Sequence, residues 1–332
     1  MSAFDQPLSA EAMTRVLGAM MAGQSSPDEI RLFLTTLAQR GETAEEIAAA
    51  VGVLRAHAVA LPLSNRDGLC DTCGTGGDQQ GTINVSTLAA LVAAAAGVRV
   101  VKHGNRAASS RCGSADLLEA LGVDIEAPPA LVARCVEEAG FGFCFAPKFH
   151  PAMKAVGPIR KELKIRTIFN LIGPLANPAP LTYQLVGVSE ARLLRPMAEA
   201  LQRLGIRHGL VVHGQDGLDE VTTTTPTDAI ELRDGRLAPL ELTPESLGVV
   251  RAGLDSVRGG DAAQNARLTL EILKGKASAM RDLVAVNAGC AIYLAGQAPT
   301  MAEGVVKATS VIASGAALRT LERVTEISRH AR

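Results

Sequence analysis

Apolar positions in the first 60 residues recur at helical spacing. Ile30, Phe33, Leu34 and Leu37 form one stripe and Ile47, Val51 and Leu54 another, which predicts amphipathic helices. The punctuation agrees. Ser26-Pro27-Asp28-Glu29 offers a capping box with Pro at the first helical position, and Thr43-Ala44-Glu45-Glu46 repeats the logic. Gly23 and Gly41 stand where helices end. After Pro62 the pattern changes. Short apolar runs at 68–73, 98–102, 140–146, 183–188 and 209–213 alternate with helical segments that begin near Ser86, Ser114 and Ala191. Strand–helix alternation predicts an α/β fold with a mostly parallel sheet covered by helices, preceded by a small helical domain. In such sheets ligands sit beyond the carboxyl ends of the strands.

Composition narrows the partners. Of 332 residues, 47% are apolar and 20% charged, enough for a sizeable core. The net charge of −1, from 33 basic and 34 acidic residues, argues against bulk attraction to nucleic acid. With no Trp and 3% aromatics, a base-stacking platform is not expected. Residues 1–6 show no basic region leading into an apolar run, and the longest apolar stretches, 88–100 and 284–295, fall short of the ~20 residues that span a bilayer. No membrane partner is expected. Six cysteines in a chain of this size do not make a disulfide framework, and Cys70 and Cys73 have no second half-site for zinc, so a reducing cytoplasm fits best.

Four segments at strand ends carry candidate chemistry. Gly74-Thr75-Gly76-Gly77-Asp78 lets backbone N–H groups approach a phosphate, yet it matches neither a P-loop nor a dinucleotide fingerprint. Asn84-Val85-Ser86-Thr87 opens an Ala-rich helix; its hydroxyls suit capping, and the helix start offers free N–H groups to an anion. Lys102-His103-Gly104-Asn105-Arg106, with Ala107-Ala108-Ser109-Ser110 and Ser114 following, is cationic and rich in hydroxyls. Lys102 would serve as a point charge for phosphate and Arg106 as a bidentate donor. The adjacent carboxylates of Asp216-Gly217-Leu218-Asp219-Glu220 suit Mg2+, which takes oxygen ligands and shares phosphate oxygens. A weaker fifth stretch, His150 to Arg160 and Arg166 to Leu175, offers cations for a carboxylate, with His150 equally readable as a helix-cap histidine.

Taken in order, GTGGD, NVST, KHGNR, GSAD, HPAM, IRTIFN, GPLANP and HGQDGLDE resemble the anthranilate phosphoribosyltransferases of tryptophan biosynthesis, whose wider group includes pyrimidine nucleoside phosphorylases. The resemblance spans about residues 10–330. It implies a helical domain at 1–66, completed by a segment near 155–180, and an α/β domain at 67–332 with a mixed, mostly parallel central sheet, the two joined by hinges. It also implies a homodimer through the helical domain, and the transfer of a phosphoribosyl group from 5-phosphoribosyl 1-diphosphate (PRPP) to anthranilate with Mg2+. Gly74, Gly77, Asp78, Thr82, Asn84, Val85, Ser86, Thr87, Lys102, His103, Gly104, Asn105, Arg106, Ala107, Ala108, Ser109, Ser110 and Ser114 would bind PRPP. Ser86, Asp219 and Glu220 would hold Mg2+, while Asn105 and Arg160 would contact anthranilate. Lys102, Asn105 and Arg160 are the expected catalytic residues.

Two departures stand out: Gln79 follows Asp78 where the family has Gly, with Ile83 in place of Phe, and Lys164 replaces a Gly before Ile165. Neither removes a charged ligand group. The alternatives are a pyrimidine nucleoside phosphorylase on the same fold, which thymidine phosphorolysis would reveal, and a non-catalytic paralogue that binds nucleic acid, which salt-dependent DNA binding would reveal.

Overall fold

The computed structural model describes residues 4–107 and 110–329. Three amphipathic helices open the chain: α1 (Ala10–Met21), α2 (Pro27–Arg40) and α3 (Ala44–Ala56). Both capping boxes form as read, Ser26 with Glu29 and Thr43 with Glu46. Ile30, Phe33, Leu34, Leu37, Ile47, Val51 and Leu54 are all buried.

The α/β part follows as β1 (Leu69–Asp71), α4 (Val85–Ala95), β2 (Arg99–Gly104), α5 (Ser114–Ala120), α6 (Pro129–Ala139), β3 (Phe141–Phe145) and a short α7 (Ala146–Phe149). Then come α8 (Gly157–Leu163), α9 (Ile168–Leu175), β4 (Tyr183–Gly187), α10 (Leu194–Arg203), β5 (His208–Gly214), β6 (Thr227–Arg233) and β7 (Arg236–Leu242). The chain ends in α11 (Ala262–Leu273), α12 (Ala279–Leu294), α13 (Met301–Ala313) and α14 (Ala316–Arg329).

The seven strands form one sheet in the order β3-β2-β1-β4-β5-β6-β7. The first five in that order run parallel, and β6 and β7 close the edge as an antiparallel hairpin. The sequence reading had no strand for this hairpin, because Pro239 and the exposed, charged β7 break the apolar pattern. Within β2, β4 and β5, neighbouring residues enter different cores: Val100, Leu185 and Leu210 point to one and Val101, Val186 and Val211 to the other. A sheet covered on both faces needs apolar residues at every position, which accounts for the unbroken apolar runs. From β1 the chain builds β2 and β3 on one side and later β4 on the other, so the crevice between β1 and β4 is the switch point where such sheets bind ligands.

Helices α8 and α9 pack against α2 and α3. Arg31 on α2 bonds Glu162 on α8 at 3.0 Å. At the end of α9, three successive carbonyls are each held by a different element. His103 Nδ1 on β2 donates to Gly173 O (3.0 Å), Gln184 Nε2 on β4 to Pro174 O (2.8 Å), and Arg55 on α3 to Leu175 O (2.7 Å). Just beyond, Asn177 Nδ2 donates to Asp71 Oδ2 (2.8 Å) and to Val101 O (2.7 Å). The bonds to residues 173–175 satisfy carbonyls that a helix end leaves orphaned.

Candidate active site

The carboxyl ends of β1, β2, β4 and β5 share one edge of the sheet, and the loops that leave them converge. After β1, Thr75 N donates to Gly187 O (2.9 Å) and Gly76 N to Asp219 Oδ2 (2.7 Å). The glycine loop is thereby stitched to the ends of β4 and of the acid loop after β5. A Cβ on Gly74 would lie 2.8 Å from Asp219 Oδ2 and 3.2 Å from Gly187 O, so a side chain there would push the aspartate out of place.

Three carboxylates meet in this crevice. Burial pushes Asp219 up to about 7, with the charge of Asp78 adding to the effect. Asp78 is itself raised by burial. Glu220 is raised well above the ordinary range by burial and by Asp219, and it faces the Ser86 amide. Like charges out of water are costly, and a cation between them removes that cost. Among the described residues, no three His, Cys, Asp or Glu side chains form a ready-made cage. The donor set is instead hard and incomplete: two adjacent carboxylates and the Ser86 hydroxyl, a set that suits Mg2+, which keeps waters and takes phosphate oxygens as further ligands.

Lys102 is buried at the end of β2, and its Nζ donates to Ser86 Oγ at 3.2 Å. Behind it lies Asp71, fully buried and pushed up to about 6 by burial, which accepts from Thr72 N (2.7 Å), His103 N (3.2 Å) and Asn177. The hydroxyls of Ser86 and Thr87 do not cap α4, contrary to the capping expected from the sequence; Asn84 precedes the helix without a side-chain cap bond. Ser86 faces Lys102, and Thr87 Oγ1 donates to Ser114 Oγ (3.0 Å), tying α4 to α5. Asn84 spans to Cys112 O (2.9 Å) and accepts from Asn265 (2.9 Å). Val85 is buried, and Thr82 pairs its backbone with Arg258.

The loop after β2 is braced by Asp116, which accepts from Ala107 N and Gly113 N, both at 2.9 Å. Gly104 closes β2 under Phe143 and Ser114, where a Cβ would meet a ring carbon at 2.8 Å. Asn105 and Ser110 are exposed. Arg106 is turned away from the phosphate role expected of it: its guanidinium bonds Asp116 (3.0 Å) and Glu119 (2.8 Å) on α5. The expected ligands Ala108 and Ser109 lie outside the described residues.

On α8, Arg160 stacks over Phe169, its Cζ 4.9 Å from the ring centroid. Among the described residues no carboxylate is found paired with it, and burial lowers its pKa. His103 and His150 meet edge to face at 5.1 Å. His150 is not a satisfied cap: both its ring nitrogens are buried without a well-formed hydrogen bond. Burial pushes His103 down to about 3. Both thiols of the Cys70/Cys73 pair are raised by burial, Cys73 to about 12.

Sequence reasoning passed over Asp71, Asn177, Gln184 and Gly187, and offered Arg166 only as part of a cationic stretch for a carboxylate. Arg166 Nη1 bonds Ser189 Oγ (2.5 Å) beside the glycine loop. A polar residue inside an apolar strand run, as Asp71 and Gln184 are, was the available signal.

Residues 66–318 match the family model described as "Glycosyl transferase family, a/b domain", and residues 3–58 match its helical bundle domain. An anthranilate phosphoribosyltransferase from Rubrobacter xylanophilus is 52% identical over 99% of this chain and 96% of its own length. This chain belongs to the anthranilate phosphoribosyltransferase family. A family member of known structure, from Thermus thermophilus, superposes with a TM-score of 0.93 at 49% identity, covering 98% of this chain and 97% of its own. The Saccharomyces cerevisiae member, solved in complex with PRPP and Mg, has a TM-score of 0.89 at 30% identity, covering 97% and 94%.

Proposed function

We infer that this chain transfers the phosphoribosyl group of PRPP to anthranilate, giving N-(5-phosphoribosyl)anthranilate and diphosphate, a step of tryptophan biosynthesis. The observation that carries the reading is the seam between the glycine loop and the acid loop, where Gly76 N meets Asp219 and Lys102 stands opposite at Ser86. Backbone amides and a lysine for phosphate oxygens lie against carboxylates for a cation, which is what a sugar diphosphate requires.

In this reading Gly74, Gly77, Asp78, Thr82, Asn84 to Thr87, Lys102 to Asn105, Ala107 to Ser110 and Ser114 bind PRPP, while Arg106 stays on Asp116 and Glu119. Asp219, Glu220 and Ser86 would hold Mg2+, and bound there the ion would neutralise charge on the leaving diphosphate. The chain's own share is positioning and electrostatics. Lys102 and the glycine-loop amides stabilise the negative charge that develops as the C1–O bond breaks. Arg160 grips the anthranilate carboxylate, and Asn105 helps aim the amine at C1. The aromatic amine is unprotonated near neutral pH and needs no strong base before it attacks. Closure of the helical layer on the α/β domain excludes water, which would otherwise hydrolyse the donor.

We divide the chain at 66/67, with residues 155–180 completing the helical layer, and place it in the cytoplasm as a homodimer through that layer. No helix among the described residues is long and apolar enough to cross a membrane. The decisive assay follows loss of anthranilate fluorescence with PRPP and Mg2+. Anthranilate consumption dependent on both supports the reading; thymidine phosphorolysis without it would replace the transferase by a phosphorylase.

A further inference from the structure

The loop from β1 to α4 is held at both ends by backbone bonds. Thr75 N donates to Gly187 O (2.9 Å) at its start, and Gly259 N donates to Gly81 O (2.9 Å) near its end. Between these anchors a side chain crosses to the facing wall: Gln80 Nε2 donates to the backbone carbonyl of Asp216 at 3.1 Å. The target is rigid. Asp216 Oδ2 accepts from Thr222 Oγ1 (2.6 Å) and from Thr224 Oγ1, while Oδ1 accepts from Leu218 N (3.1 Å). Gly214 N closes the same turn on Leu218 O (2.8 Å). A Cβ on Gly217 would lie 3.1 Å from Gln80 Nε2, so this turn has no side chain where the amide arrives. Gln80 also touches the near wall, its N–H donating to Asp78 Oδ1 at 3.3 Å. The preceding residue, Gln79, sits in the left-handed region at φ 57°, a conformation that an L-residue enters at a cost. The chain reverses there and presents residue 80 to the acid loop.

We propose that Gln80 is a positioning residue for the donor: its amide clasps the glycine loop to the 214–218 turn and so sets the gap between Asp78 on one wall and Asp219 and Glu220 on the other. The proposal rests on the function inferred above. An uncharged donor is the right chemistry for the task. A lysine would compete with a cation for the carboxylates, and a glutamate would lack the proton for the carbonyl while adding one more negative charge. The clasp touches neither Arg160 nor Phe169, so its release acts on donor and metal rather than on acceptor.

The test compares the full-length enzyme with Gln80→Ala and Gln80→Glu. Gln80→Ala should raise the PRPP KM and the half-saturating Mg2+ concentration about fivefold, the size of one lost neutral hydrogen bond. The anthranilate KM, kcat at saturation and Tm should stay at parental values. Gln80→Glu should weaken PRPP and Mg2+ further than Gln80→Ala. An unchanged PRPP KM in Gln80→Ala overturns the proposal. So does a parallel rise of both KM values with a lower Tm, the signature of a merely structural residue. Calorimetric titration of PRPP with Mg2+ onto parent and variant, without anthranilate, keeps the clasp testable apart from the reaction. If the parent binds PRPP but turns over no anthranilate, the functional reading fails while the clasp still stands or falls on the affinity ratio.

Discussion

A Cβ built on Gly187 would lie 1.5 Å from the carbonyl oxygen of Asp219, so the last residue of β4 and the acid loop are in backbone-to-backbone contact. Gly74 closes on the same aspartate from β1. Asp219 therefore sits in a slot cut by two absent side chains. Gly187→Ala should push the acid loop out of register and lower kcat/KM about 100-fold, the scale on which a 1 Å misplacement acts. Steady-state turnover beside far-UV circular dichroism checks this: helices should remain while activity goes.

Asp219 and Glu220 are held in the fold at a cost, since burial raises both, with the charge of Asp78 adding to it at Asp219 and that of Asp219 at Glu220. Asp219→Asn with Glu220→Gln should abolish Mg2+-dependent turnover and leave Tm in metal-free buffer equal to or above the parent's. A variant that still turned over with Mg2+ would remove these residues from the metal site.

Arg160 stacks on the Phe169 ring, and among the described residues no carboxylate is found paired with it. Arg160→Ala should raise the anthranilate KM about 10- to 100-fold, the range for a lost charged hydrogen bond, and change the PRPP KM less than twofold. The two KM values measured on one preparation decide it.

Lys164 ends α8 at φ 53°, in the left-handed region, where the family resemblance leads one to expect glycine. Lys164→Gly should stabilise the protein by about 1 kcal/mol, the penalty of an L-residue there less the added chain entropy of glycine. Urea unfolding gives the sign directly. A less stable variant would mean that the lysine side chain more than repays its backbone.

His103 is pushed from 6.5 to about 3 by burial, then by His150 and Lys102. Above pH 6.5 the imidazole is neutral in both folded and unfolded chains. Below it the unfolded chain takes up a proton that the folded one refuses. Stability is therefore lost as pH falls from 6.5 towards 3, by up to about 1.4 kcal/mol per pH unit. His103→Asn should flatten the fall between pH 6.5 and 4, measured as the urea midpoint against pH; an equally steep fall would assign the proton uptake elsewhere.

Much of the architecture could be read from period and punctuation. The two capping boxes and the parallel strands announce themselves because burial on both faces demands unbroken apolar runs. The hairpin β6–β7 did not, since an exposed edge strand with Pro239 has no such demand placed on it. At the site, the loops at the strand ends were legible as glycine, hydroxyl and carboxylate clusters. Where their side chains point was not. Arg106 has the composition of a phosphate ligand, yet it lies on Asp116 and Glu119, because α5 offers two carboxylates one turn apart. Ser86 and Thr87 read as caps and instead face Lys102 and Ser114. Asp71 and Asn177 escaped notice because a buried polar pair makes sense only once β1 and the connection after α9 are brought together.

The end of α9 is riveted by His103, Gln184 and Arg55, which come from both layers of the molecule. A change at residues 173–175 would therefore be felt at once by α3, β2 and β4, so this short turn couples the placement of the helical layer to the strands that carry Lys102 and Gly187.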